Sequence, residues 1–349
     1  MRQDRRPESG LRDLSTLPLT LGAKVANQAR RVPVWLDYGK AARKPKFLPN
    51  LSAAATANGF LWTVSDEMRT VECLAPFRSG FRLHRQLSLD ALFPGLPGAE
   101  SAREADVEAL EVANGRLWIC GSHSLTRRTP SVTTKVVVNA EIQKRPSRRL
   151  LGAVALTDDG GDVLAPGEAL PFKGDGSLRA ALAKLPHVTP FMGLPSKENG
   201  IDIEGLAVVR KTILVGLRGP VVENVALIAA VTLEANFKLA QDIPFLHFVD
   251  LEGLGVRDLT RWNSEVLILA GPVSSATGPF KLFRWTPRRT HKIQKALEVH
   301  DFASGQDIPE GMCALSRAST TGILVLYDTR NPKRTSGTRY RADCIKLAI

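Results

Sequence analysis

The strongest constraint in this 349-residue sequence is that it repeats itself. Laying Leu51–Glu67 on Val107–His123 puts Ala-Asn-Gly over Ala-Asn-Gly and Leu-Trp over Leu-Trp in register. Related copies start at Asp202 (Asp-Ile-Glu-Gly-Leu), at Asp250 (Asp-Leu-Glu-Gly-Leu) and at Pro309 (Pro-Glu-Gly-Met). Each copy reads as a short apolar strand, a turn, and a second apolar strand that ends in polar residues. Asn58-Gly59 and Asn114-Gly115 are two-residue hairpin signals, because both central positions need positive φ. A third strand follows at 150–156, 226–233, 280–285 and 344–349, and a fourth is expected within 238–248. Four antiparallel strands in a repeat of about 40–55 residues are the pattern of a β-propeller blade.

The repeats begin near residues 50, 106, 202, 250 and 307. The interval from 106 to 202 is twice the shortest one. It holds either a hidden sixth blade or insertions, and insertions are favoured. Residues 126–149 read as a polar, Arg-rich hairpin, and 173–200 contain one short helix near 177–185. The strand at 32–38 has no blade of its own, and the strand at 344–349 has no outer partner. Pairing them would lock the ring and cover its edges. The expectation is a single all-β propeller over residues 32–349, with five detectable blades, preceded by a basic arm at 1–31.

Composition narrows the function classes. The chain is 44% hydrophobic, too apolar for wholesale disorder, yet has no run of 18 apolar residues, which excludes a spanning helix. The four cysteines lie far apart with no CxxC, which argues against a zinc site or a disulfide framework and for free thiols in the cytoplasm. The net charge of +12 sits mainly at the ends: +7 in residues 1–47 and +4 in residues 331–349. A basic arm can touch phosphate weakly, but no nucleic-acid-reading motif is present. The basic stretch Arg284–Lys292 is expected to be a solvated outer loop. Gly-x-Ser-x-Gly, Walker A and His-Glu-x-x-His motifs are absent.

Hairpin topology points to one candidate site. The start of one strand and the end of the next lie at the same edge of a sheet. One rim should therefore gather Glu108, Glu204, Glu252 and Glu310, with Ser52 standing in the first repeat. The same rim should carry Asp66, Glu67, His123, Arg218, Asp328 and Arg330. Ionised glutamates about 5–8 Å apart repel by roughly 2–3 kcal/mol per pair at an effective dielectric near 20. A hard divalent cation such as Ca²⁺, ion pairs to arginine, or raised pKa values would offset that repulsion. The competing reading makes Asp-x-Glu-Gly a blade corner with an architectural role.

The segment 195–207 (Pro-Ser-Lys-Glu-Asn-Gly-Ile-Asp-Ile-Glu-Gly-Leu-Ala), with Val215–Pro220, Ser65–Glu67, Val325–Asp328 and Ala342–Cys344, resembles a bacterial β-propeller family filed as a domain of unknown function. The resemblance spans about residues 33–349. The Asp-x-Glu-Gly-Leu element is also similar to one in phytase-like esterase propellers and, more loosely, to the Glu-Gly-Pro element of gluconolactonase-type propellers, whose glutamate binds a divalent metal. The resemblance implies a propeller and no particular activity. The leading expectation is a ligand-binding propeller, extending to metal-dependent hydrolysis of an ester, lactone or phosphoester. Glu204, Glu252 and Glu310 would be metal ligands, with Glu108 as a fourth ligand or general base. His123 is a weaker candidate base, and Arg218 would hold an anionic group. The alternative is a non-enzymatic scaffold that binds a protein through its loops and basic arm.

Overall fold

The computed structural model of the chain describes residues 30–101, 103–128, 139–274, 278–302, 305, 307–317, 320–329 and 331–347. Residues 1–29 of the expected arm, and 129–138 of the first insertion, lie outside them.

The described strands form five four-stranded antiparallel units, each laid down from the inside outwards. The first holds Leu51–Ala57, Phe60–Ser65, Thr70–Phe77 and Gly80–Ser88. The second holds Val107–Ala113, Arg116–Gly121, Leu151–Leu156 and Val163–Ala169. The third holds Asp202–Val209, Thr212–Val222, Val225–Thr232 and Phe245–Asp250. The fourth holds Gly255–Trp262, Glu265–Gly271, Phe280–Trp285 and Leu297–Phe302. The fifth holds Asp307–Arg317, Thr320–Thr329 and Arg339–Ile345, and is completed by Arg31–Asp37 from the other end of the chain. This is a β-propeller. The long interval after residue 106 contains one blade, the hairpin Leu125–Arg127/Ile142–Lys144 and the helix Leu178–Ala183.

Local chemistry explains the turns. Asn58 and Gly59 have φ of 45° and 91°, and Asn114 and Gly115 have φ of 55° and 70°, the left-handed pair that a tight hairpin requires. Apolar side chains from facing blades fill the seams. Trp62, Val64, Leu110 and Ile119 pack between the first two blades. Val256, Ile268 and Trp285 pack with Leu214 between the third and fourth. All four cysteines are buried free thiols. Among the described residues, no helix is long and apolar enough to cross a membrane.

Ring closure follows the sequence pattern. Arg31–Asp37 pairs residue by residue with Arg339–Ile345, from Arg31 opposite Ile345 to Asp37 opposite Arg339. Its far edge touches the first blade in parallel, with Leu36 opposite Phe81. Val34 and Leu36 enter the core between the fifth and first blades.

Every innermost strand also breaks register near its start. The breaks fall between Leu51 and Ala53, Val107 and Ala109, Ile203 and Gly205, Val256 and Asp258, and Pro309 and Met312. A bulge leaves a residue out of the ladder and re-aims its side chain. The residues so placed are Ser52, Glu108, Glu204, Arg257 and Glu310 (the last with Gly311).

The closing strand gives the first prediction. Leu36 is fully buried, so Leu36→Ala should destabilise the protein by about 2–5 kcal/mol. Urea unfolding followed by tryptophan fluorescence measures it. A loss below about 1 kcal/mol would mean that this strand does not hold the ring.

Candidate functional site

Four of the five bulged residues, Ser52, Glu108, Glu204 and Glu310, line a funnel of about 620 Å³ on one face of the disc, and Arg257 reaches Glu204 and Glu310 beside it. Its lining includes Ser52, Asp66, Asp106, Glu108, Glu204 and Glu310. The polar ends of the second strands contribute Arg218 and Asp328.

The funnel divides into two electrostatic sectors. In one, carboxylates and guanidiniums alternate. Arg218 binds Asp202 at 2.5 Å and Glu204 at 2.6 Å. Arg257 binds Glu204 at 3.1 Å and also pairs with Glu310. Burial alone would weaken the Arg218 charge, but Asp202 and Glu204 outweigh it and hold the guanidinium protonated. Burial pushes Asp202 up to about 7 and Glu310 up to about 8, against the pull of the arginines.

The other sector is acidic. Carboxylate oxygens of Asp66, Asp106 and Glu108 all lie within 4.8 Å of one another. Asp106 is tied to Arg148 at 2.8 Å and accepts from the Ser122 hydroxyl. Asp66 and Glu108 have no basic partner among the described residues, and Oδ1 of Asp66 is buried without a hydrogen bond. Removal from water, then the neighbouring carboxylates, raise Asp66 and Glu108 well above the usual carboxylate range. Asp106 is raised less, because Arg148 and Ser122 favour its ionised form. Asp106 also holds a left-handed φ of 50° at the entry to its strand, a conformation that costs free energy and recurs at functional sites. Hard carboxylate oxygens converging at this spacing form a group able to hold a metal ion.

Sequence reasoning brought Glu108, Glu204, Glu310, Asp66, Arg218 and Asp328 to one funnel, and the structure places them there. Glu67 lines the rim, paired with Lys46 at 2.8 Å. Glu252 is a correction. The fourth inner strand starts at Gly255, and Asp250 ends the preceding blade. Glu252 therefore sits in the turn between blades, half-exposed, with Lys281 at 2.6 Å. Arg257 occupies the bulge where that glutamate was expected. His123 is the second correction. It is buried outside the funnel, its Nε2 lies 3.2 Å from the Leu150 carbonyl, and burial lowers its pKa to about 3. It stays neutral near pH 7 and does not line the funnel. Arg330 lies outside the described residues. Glu204 and Glu310 are engaged by arginines and Arg218 already spans two carboxylates, so the acids left able to hold a metal ion are Asp66, Asp106 and Glu108. Asp106 carried a signal in the sequence: Asp106-Val-Glu108 has the same Asp-x-Glu spacing as Asp202-Ile-Glu204.

A family model matches residues 50–342. The chain belongs to the family described as "Protein of unknown function (DUF3616)". The matched span takes in all five bulged positions of this DUF3616 chain and its whole acidic sector. No curated protein matches it by sequence. Among solved structures, it is similar to a glutaminyl cyclase from Myxococcus xanthus at 10% identity and a TM-score of 0.45, covering 91% of this chain and 97% of that one. It is also similar to the PQQ-bound aldose sugar dehydrogenase from Streptomyces coelicolor at 10% identity and a TM-score of 0.36, covering 91% and 98%.

The site predicts a pH dependence. Glu310, Asp66 and Glu108 have folded-state pKa values above their unfolded ones, so the unfolded chain ionises first and folding stability falls as pH rises. Buried, neutral His123 acts the other way, but only below its unfolded value of about 6.5. Without divalent cations, stability should therefore decline from pH 6.5 to about 8, by up to about 1.4 kcal/mol per pH unit for each retained proton. Urea midpoints across that range test it, and a flat profile would show that the acidic sector is not strained. Arg257→Gln should cost about 3–5 kcal/mol at pH 8, because it leaves Glu310 buried without its counter-charge.

Proposed function

We propose that this protein is a ligand-binding propeller that holds a hard divalent cation on Asp66, Asp106 and Glu108 and takes a small oxyanion-bearing molecule into the funnel. The observation that carries the reading is the partnerless pair Asp66 and Glu108 beside Asp106, on the floor of an open cavity. Carboxylate oxygen ligands in a partly open setting suit Ca²⁺ better than zinc or copper. When bound, such a cation supplies Lewis-acid polarisation of a ligand's carbonyl or phosphoryl oxygen.

The chain's own groups would do the rest. Arg148 orients Asp106 from behind, and the Ser122 hydroxyl fixes its second contact. Glu310, with a pKa of about 8, can hold or release a proton near neutrality. Arg257 fixes its carboxylate in the funnel wall. Lys197 at the mouth adds a positive charge for an incoming anion. These elements favour hydrolysis of an ester, lactone or phosphoester as the reaction class to screen first.

The test is a crossing of stabilities. In chelator at pH 8, Asp66→Asn should be more stable than the wild type, because it relieves like-charge repulsion. Saturating Ca²⁺ should reverse that order, since only the wild type gains binding energy, about 2.7 kcal/mol at a hundredfold excess over Kd. Glu108→Gln should behave the same way. Thermal melts with and without Ca²⁺ read both arms. No Ca²⁺ response in the wild type, with Mg²⁺ and Mn²⁺ also silent, would overturn the reading and turn the search towards a protein partner of the propeller loops.

A further inference from the structure

The face opposite the funnel carries a different chemistry. There the inner strands end, and two hollows of about 520 and 480 Å³ adjoin across Arg261 and Asn263. A third, of about 110 Å³, opens at the lower end of the axis, and Arg261 lines it as well. Arg210 and Arg289 stand in the first hollow and Arg317 in the second.

Cations on this face are not neutralised as they are in the funnel. Arg148, Arg218 and Arg257 each bind carboxylates. Arg210 and Arg289 have no ion pair among the described residues, and Arg261 makes no close ion pair there, although its charge acts on the buried Glu111 carboxylate. Arg289 lies over the Phe245 ring at 4.8 Å, and Arg317 over Phe81 at 4.8 Å while donating to the Gly80 carbonyl at 2.8 Å. Two acids reach the hollows. Glu265 is held by Arg284 at 3.3 Å and by the Thr286 hydroxyl at 3.0 Å. Glu111 accepts from the Val112 amide at 3.0 Å inside the small axial opening. The closing strand also starts on this face, where Arg31 pairs with Ile345. The first 31 residues, with seven Lys/Arg and three Asp/Glu, lead into it.

We propose that this lower face is a groove for single-stranded nucleic acid, gripped through its phosphates without regard to sequence. Unpaired guanidiniums bind phosphate oxygens in a bidentate fork. Trp262 offers a partly exposed ring in the wall of the second hollow, a surface on which a base stacks. The arginines line recesses, which a strand enters and a flat bilayer only bridges.

Fluorescence anisotropy of the full chain with a labelled mixed-sequence oligonucleotide of about 20 nucleotides tests the groove. Four phosphate contacts, one for each arginine in the hollows, at a slope of about −0.7 each imply an affinity loss of roughly fiftyfold between 50 and 200 mM salt. The triple variant Arg210→Glu, Arg261→Glu, Arg289→Glu should bind at least about tenfold more weakly, with the slope reduced by about 2. Its melting temperature and its response to Ca²⁺ serve as controls for folding and for the funnel. If the triple variant does not fold, Arg261→Gln alone should reduce the slope by about 0.7. No binding at 50 mM salt overturns the proposal. So does unchanged binding by the folded triple variant, which would place the contact in residues 1–31. Tighter binding to phosphatidylserine vesicles than to the oligonucleotide overturns it in favour of a membrane surface.

Discussion

The upper half of this propeller is governed by one repeated backbone event, the bulge near the start of each innermost strand. It brings five side chains towards a common axis, where the chain has placed one serine, three glutamates and one arginine. Three carboxylates at such close range would repel by several kcal/mol. Arg257 is what makes the arrangement tolerable, since it enters from a bulge of its own and reaches both Glu204 and Glu310. Arg218 completes the web from the neighbouring strand. Two arginines do not reach round the whole ring. The compensation ends before Glu108, and the side facing the first blade, where Ser52 brings no charge, is left to Asp66, Asp106 and Glu108. The candidate metal site is thus the least compensated part of the ring, where Arg148 ties Asp106 alone and Asp66 and Glu108 have no ion pair among the described residues.

This division also settles what each residue can contribute. A carboxylate already shared between two guanidiniums is a poor ligand for a cation, because binding would have to break a buried charge pair. A guanidinium with two carboxylates is equally unavailable to an incoming anion. The free capacity of the funnel lies with the partnerless acids.

Much of the fold was legible in the sequence because propeller repeats are written in residues that local physics reads directly. The Asn-Gly turns, the Leu-Trp pairs and the third strands expected at 150–156, 226–233 and 280–285 landed within a residue or two of the observed strands, whereas the one expected at 344–349 lies at Arg339–Ile345. The strand expected at 32–38, and found at Arg31–Asp37, was identifiable as a ring closure because it was apolar and lacked a blade. The fourth repeat was misread for a physical reason. Asp250-Leu-Glu-Gly-Leu copies Asp202-Ile-Glu-Gly-Leu almost letter for letter, but Glu252 and Gly253 adopt φ of 59° and 82° and turn the chain. The strand begins five residues later with a sequence, Gly-Val-Arg-Asp, that matches its counterparts by position and not by letter. A bulge register depends on cross-strand hydrogen bonds, which a one-dimensional comparison does not contain. For the same reason Arg257 and the pairing of Asp106 with Arg148 were out of reach, since both partners come from distant segments.

The residue after each bulge explains why two opposite faces can carry unrelated chemistry. Directly after the bulged side chain it is Ala53, Ala109, Gly205 and Gly311 in the first, second, third and fifth blades and Asp258 in the fourth. Small residues let the inner strands pinch together: a Cβ on Gly311 would lie 2.5 Å from the Ser52 carbonyl oxygen, and one on Gly205 2.7 Å from Leu259 Cγ. Asp258 then reaches across the seam, accepting from the Met312 amide at 2.6 Å and from its neighbour Leu259 at 2.7 Å. It is fully buried, and burial raises its pKa well above the usual range despite those bonds. The level beneath the charged ring is therefore closely packed and bonded across the blades. An acidic funnel above it and a basic face below it can each be occupied, titrated or mutated with little electrostatic cost to the other, beyond what Glu204 and Glu111 exert on Asp258 between them.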